Sequence, residues 1–202
     1  MFEVILSKLE RISRLAVWFG GATLMIAAFI VTVDVLFRKF VGWTMSGSDE
    51  VTSYVFAAST TWAYSFVLLH RANVRIDAVY NLVKPKVRAV LDVLGVLLLL
   101  LYMGLLTERA IFTLQDSINY GSVSNTTLLT PLWIPQLAWA SGLVFFMITL
   151  IVVATYSILM LLRRDYAGVS RVAGVMTVSE EIDTETHGME LSSDGATGDG
   201  EK

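Results

Sequence analysis

Two histidines and no cysteine narrow the chemistry open to this 202-residue chain. Without thiols there are no disulfides, zinc–thiolate sites, iron–sulfur clusters or cysteine nucleophiles. His187 lies in an acidic C-terminal stretch, which leaves His70 alone in the apolar part. A di-haem b-type electron carrier needs four axial histidines and so fails by count. The sequence contains no HExxH, GxSxG, P-loop or GxGxxG pattern. Serine and threonine cluster at Thr52, Ser53, Ser59, Thr60, Thr61 and Ser65. On an apolar helix, small hydroxyl residues permit close packing and bond back to their own backbone, so packing is the expected role. The sequence predicts a non-catalytic protein with neither metal nor cofactor.

The remaining polar residues are arranged for anchoring. Asp34 and Arg38 stand at i, i+4, a spacing that lets a carboxylate and a guanidinium meet. They form either a local interfacial ion pair or an anchor to a partner. Asp49 and Glu50 follow Ser46 and Ser48, which reads as a serine N-cap with acids in the first turn, favoured by the helix dipole. Contact with an external protein is the competing reading. His70, Arg71, Arg75 and Asp77 crowd one stretch, as expected of snorkelling basic side chains with a local acid. Pro131 and Pro135 bracket Leu132–Ile134 and fix where the chain re-enters an apolar segment. Asn125-Thr126-Thr127 is a formal glycosylation sequon, relevant only in a eukaryotic secretory route.

The elements carrying these residues are membrane spans. Hydrophobic residues make up 55% of the chain, charged residues only 16%, and the mean hydropathy is +0.65. That excludes disorder, nucleic-acid binding and an ordinary soluble domain as whole-chain readings. A bilayer core about 30 Å thick needs roughly 20 apolar residues per helix. Charge-free runs and their flanks predict four transmembrane helices, over about 15–36, 50–69, 88–114 and 137–162. Every Asp, Glu, Lys and Arg falls at a span end or outside, so nothing marks a substrate path or proton relay within this chain. The chain reads as a helper packed against a larger partner.

Two further helices are expected to lie flat on the membrane. Residues 1–14 carry Ile5, Leu9 and Ile12 at 3–4 spacing, with Lys8, Arg11 and Arg14 on the polar side. Residues 75–84 place Ile76, Val79, Tyr80 and Val83 opposite Arg75, Asp77 and Lys84, and Pro85 opens the next helix. The N-terminus has the basic start of a secretory signal, but its apolar run is too long, so it reads as an uncleaved first span. Eleven Lys and Arg flank one side of the four spans and three the other. The positive-inside rule then puts both termini in the cytoplasm. Trp18, Trp43, Trp133 and Trp139 suit interfaces, whereas Trp62 is mid-span and needs a protein neighbour. The formal charge of −3 divides into a body of +4 and an acidic tail, with eight of the 18 acids in residues 177–202. Residues 174–202 are too polar to fold and are expected to be disordered.

In order and spacing, residues 15–160 resemble the small, DctQ-like membrane subunit of tripartite ATP-independent periplasmic (TRAP) transporters. The resemblance rests on DVLFR at Asp34–Arg38 and on the short loop GWTMSGSDE leading to Glu50. It continues through His70, Val74 and Asp77, then Pro85 and Arg88, and ends with TPLWIP at Thr130–Pro135. Ala63-Tyr64, where a glycine is common, and the long acidic tail depart from the pattern. The resemblance implies a bacterial inner-membrane protein that braces a large multi-span permease subunit. That partner would carry the sodium and substrate sites, and a periplasmic binding protein would deliver an organic acid. It also implies that Trp43–Glu50 and Asn119–Ile134 face the binding protein. The small subunit of a tripartite tricarboxylate transporter and a stand-alone membrane adaptor are the alternative readings.

Overall fold

A computed structural model describes residues 2–71 and 84–174. The expected surface helix at 75–84, with Arg75 and Asp77, lies outside the described residues except for Lys84, which is the extended N-cap of the next helix. The tail beyond residue 174 also lies outside. The described chain is helical throughout: α1 (Phe2–Phe40), α2 (Ser48–Leu69), α3 (Pro85–Asn119), α4 (Trp133–Leu162) and α5 (Tyr166–Ala173). One isolated bridge, Val123 to Pro131, is the sole β-type pairing among the described residues.

Three of these helices, α1, α3 and α4, are long and apolar enough to cross a membrane. α2 is not among them, because its six serines and threonines from Thr52 to Ser65 dilute its apolar character. The expected junction between a surface helix at 1–14 and a span from residue 15 is not a break. α1 runs unbroken for 39 residues, about 58 Å at 1.5 Å per residue. No glycine or proline interrupts it before Gly20, and an Arg14–Glu10 pair at 2.9 Å supports the helix just before the expected junction.

α3 opens on Pro85, where a missing N–H costs the helix nothing, and it overruns the expected span at both ends. α4 carries Pro135 in its first turn, a position that tolerates proline for the same reason. α5 was not expected. Its N-cap Asp165 accepts a hydrogen bond from the Gly168 N–H at 2.9 Å, and Val169 and Ala173 turn inward one helical turn apart.

The long helices pack in the order α1, α2, α4, α3, with α5 across α3 and α4. Leu68, Val96, Met103, Leu143, Phe146, Leu150 and Val153 form the main core. A second cluster joins Ala89 and Val93 of α3 to Val169 of α5. Small residues set the α2–α4 distance. A Cβ on Gly142 would lie 2.4 Å from Thr61 Oγ1 and 2.8 Å from Trp62 Cδ1. Trp62 finds its neighbour on α4: its ring stacks on Phe145 at 5.6 Å, and its Nε1–H donates to the Ala138 carbonyl at 3.1 Å. Deeper in, the buried Thr149 hydroxyl donates to Ser65 Oγ at 3.2 Å. On the other side, Ser59 packs against Gly20 of α1. The α2 hydroxyls therefore serve packing.

Candidate functional site

The site is a polar joint at the end where α1 leads into α2 and α3 into α4. Asp34 stands on the penultimate turn of α1 with its side chain only 1% exposed. One carboxylate oxygen accepts from the Met45 backbone N–H and, at 3.4 Å, from the Thr44 hydroxyl. The other accepts from Arg38 at 2.8 Å and from Ser48 Oγ at 3.1 Å. A buried carboxylate is tolerated when its lone pairs are filled, and here four donors fill them. The i, i+4 pair with Arg38 therefore forms as expected, but it is one of four contacts, and the other three go to the α1–α2 turn and the start of α2.

The N-cap of α2 differs from the expected serine. Gly47 occupies it with φ of 98°, and no side chain caps the helix. Ser48 gives its hydroxyl to Asp34, and Ser46 bonds the Thr127 hydroxyl on the opposite loop. Gly47 is required twice over, since a Cβ there would also lie 2.3 Å from Leu128 Cδ1.

Glu50 ties α2 to the same opposite loop. Its carboxylate accepts from Tyr54 OH at 2.6 Å, within α2, and from the Thr126 hydroxyl in the α3–α4 loop. Asp49 is exposed in the first turn, where its charge suits the helix dipole. Backbone bonds shape the α3–α4 loop: Ser124 N–H donates to Thr130 O at 2.9 Å, and Leu132 N–H to Ser122 O at 3.0 Å. Pro131 holds the bridge to Val123, and Pro135 starts α4 directly behind it. The structure thus joins Asp34, Arg38 and Glu50 in one two-loop assembly, with Asp49 on its rim and Pro135 at its base.

His70 lies at the opposite end. Its Nδ1–H donates to Phe66 O at 3.0 Å, and its ring stacks on Phe66 with centroids 3.9 Å apart. Nε2 is 3.8 Å from Glu10 of α1, too long for a hydrogen bond and close enough for an ion pair when the ring is protonated. Beside it, Arg71 donates to the Ser170 carbonyl of α5 at 3.2 Å. This second joint links α1, α2 and α5. Sequence reading missed Glu10 and Ser170, because neither is near His70 or Arg71 along the chain.

Both joints are carboxylate, guanidinium, imidazole and hydroxyl groups directed at one another, and among the described residues no cluster of three His, Asp or Glu could hold a metal. The comparison with known families decides the class. Residues 27–161 match the family model described as tripartite ATP-independent periplasmic transporters, DctQ component. The chain belongs to the DctQ family. Neither a curated protein nor a solved structure matches it. DctQ proteins are the small membrane component of TRAP transporters, a transporter family and not an enzyme family. They work with a large membrane subunit and a periplasmic binding protein. The matched stretch holds Asp34, Glu50, His70 and Pro135, so the two-loop joint lies wholly within the DctQ region.

Proposed function

We propose that this chain is the rigid brace of a TRAP permease, holding the large subunit at fixed depth during sodium-coupled uptake of an organic acid. The observation that carries this reading is the two-loop joint: Asp34 holds the α1–α2 turn against α1 and α2, Glu50 holds α2 to Thr126 of the α3–α4 loop, and Ser46 bonds Thr127 across the two loops. A part that stays still while its partner moves needs cross-links of this kind, and it needs no ion path of its own.

In this reading α2 is the fourth transmembrane helix. Its 22 residues reach about 33 Å, and the hydroxyls of Ser53, Thr60 and Thr61 bond its own carbonyls, as in Thr60 to Phe56 at 2.7 Å. Both termini are cytoplasmic, in the inner membrane, and the two-loop joint faces the periplasm. The rim of that joint, with Asp49 and the exposed Trp43, Tyr120 and Leu129, is where the binding protein docks.

The test is uptake by the large subunit expressed with and without this chain. The brace reading expects uptake to fall to background without it. Full sodium-driven uptake by the large subunit alone would overturn it.

A further inference from the structure

A groove of about 640 Å3 runs between α1, α2 and α4 on the face away from the core. On α1 it follows one helical stripe from Ile12 to Thr23, about 16 Å, and Trp62 of α2 is among the residues that line it. The few polar atoms that line it are already engaged within the chain. Thr23 donates to Gly20 O at 2.9 Å, Ser141 to Ala138 O at 2.7 Å, and Trp62 to the same carbonyl at 3.1 Å. The groove therefore selects an occupant that asks for no hydrogen bond, which inside a bilayer means hydrocarbon.

One end of the groove is charged. Lys8 and Arg11 precede the lining residues Ile12 and Leu15 by four positions each, so they continue the same stripe by one turn. Both are exposed, and neither has an ion-pair partner among the described residues, whereas nearby Arg14 is engaged by Glu10. Depth agrees. Gly20 and Ser59 touch near the middle of the helices, and Lys8 and Arg11 lie about 13–18 Å along α1 from Gly20, the headgroup level of a 30 Å core.

We propose that this groove binds one anionic phospholipid from the leaflet that holds the N-terminus. Its headgroup pairs with Lys8 and Arg11, and its acyl chains lie along α1 as far as Trp62. The site joins α1 to α4, which otherwise touch little, through a lipid that fills the space between them. It depends only on membrane embedding, so it stands or falls separately from the brace.

Quenching of Trp62 fluorescence tests it. The full chain is placed in phosphatidylcholine nanodiscs doped with brominated phosphatidylglycerol or, separately, brominated phosphatidylcholine, and the Trp62→Phe variant supplies the background. The phosphatidylglycerol probe is expected to quench the Trp62 signal at lower mole fraction. Lys8→Gln and Arg11→Gln should each weaken that preference roughly five-fold, the effect of one basic residue at an anionic surface. Ala16→Phe, which fills the groove, should protect Trp62 from both probes. Equal quenching by the two lipids, unchanged in the Lys8→Gln/Arg11→Gln pair, would overturn the proposal in favour of unselective solvation. Protection that appears only when the large subunit is co-reconstituted, or only at high protein density, would instead make a partner helix or a second copy the occupant and overturn it equally. Lys8 and Arg11 are exposed, so their variants keep the test decisive even where Ala16→Phe fails to fold.

Discussion

Ser48, the first residue of α2, donates its hydroxyl to the buried Asp34 of α1 at 3.1 Å. The contact makes Asp34 the fastener of a helix–turn–helix corner, with Arg38 a half-exposed addition to it. The two partners of the ion pair should then differ sharply on substitution. Asp34→Ala strands the Met45 N–H and two hydroxyls and should lower the thermal unfolding midpoint in detergent most. Asp34→Asn, which keeps one acceptor oxygen, should lower it less. Arg38→Ala, whose side chain is 53% exposed, should lower it least. Equal losses for Arg38→Ala and Asp34→Ala would mean that the ion pair, and not the turn, is what matters.

Gly142 should tolerate no side chain. Its missing Cβ admits Thr61 and Trp62, so Gly142→Ala must push α2 and α4 apart, at about 1–3 kcal/mol for an overpacked contact. Gly95→Ala, with nothing within 4 Å of the new Cβ, is the matched control and should be neutral or slightly stabilising. Denaturation of the two variants side by side checks the contrast, and a neutral Gly142→Ala would show that the α2–α4 contact is loose.

At Gly47 two independent penalties coincide. Gly47→Ala meets both the left-handed backbone, about 1–2 kcal/mol for an L residue, and the Leu128 side chain. Adding Leu128→Ala should recover the steric part and leave the conformational part, so the double variant should unfold between wild type and Gly47→Ala. Full recovery would show that backbone conformation contributes nothing here.

Three long apolar helices, the helix opened by Pro85 and the Asp34–Arg38 pair were legible in the sequence because each depends on residues a turn or two apart. Hydrophobic run length sets a span, and i, i+4 spacing sets a pair. What escaped is set by distance in space. Glu50 meets Thr126 across 76 residues, and Arg71 meets Ser170 across 99, so no local pattern announces either. The expected break near residue 14 failed for a different reason. Amphipathic spacing shows which face of a helix is apolar, but it does not show where a helix ends, and only a breaker would have done that. α5 carried a signal that was readable, an Asp three residues before a Gly with Val169 and Ala173 one turn apart, but it was too short to stand out beside the spans.

Asp49 and Glu50 are neighbours with opposite roles. Asp49→Lys alters only an exposed rim charge, so it should leave folding intact and weaken capture of the binding protein by the assembled permease, more at low salt than at high. Glu50→Gln leaves an acceptor oxygen for only one of Tyr54 and Thr126, which bond different carboxylate oxygens, and should loosen the α3–α4 loop. Hydrogen exchange at residues 122–132 reads the second effect, and salt-dependent binding reads the first. If Asp49→Lys leaves docking unchanged at every ionic strength, that rim is not part of the interface.

α5 is held by two contacts of different kinds, and they should fail separately. Asp165→Ala deletes the N-cap, at about 1 kcal/mol, and should fray the first turn of α5 alone. Arg71→Ala removes the bond to the Ser170 carbonyl and frees the other end, where Val169 and Ala173 still hold the helix against α3 and α4. Val169 is fully buried, so Val169→Ser should do what neither polar change does and release α5 from the bundle. Limited proteolysis after Arg163, Arg164 and Arg171 measures release directly. Cleavage is expected to be fastest in Val169→Ser and intermediate in the two polar variants. If Arg71→Ala alone released α5 as fully as Val169→Ser does, the guanidinium and not the apolar contact would be what docks it.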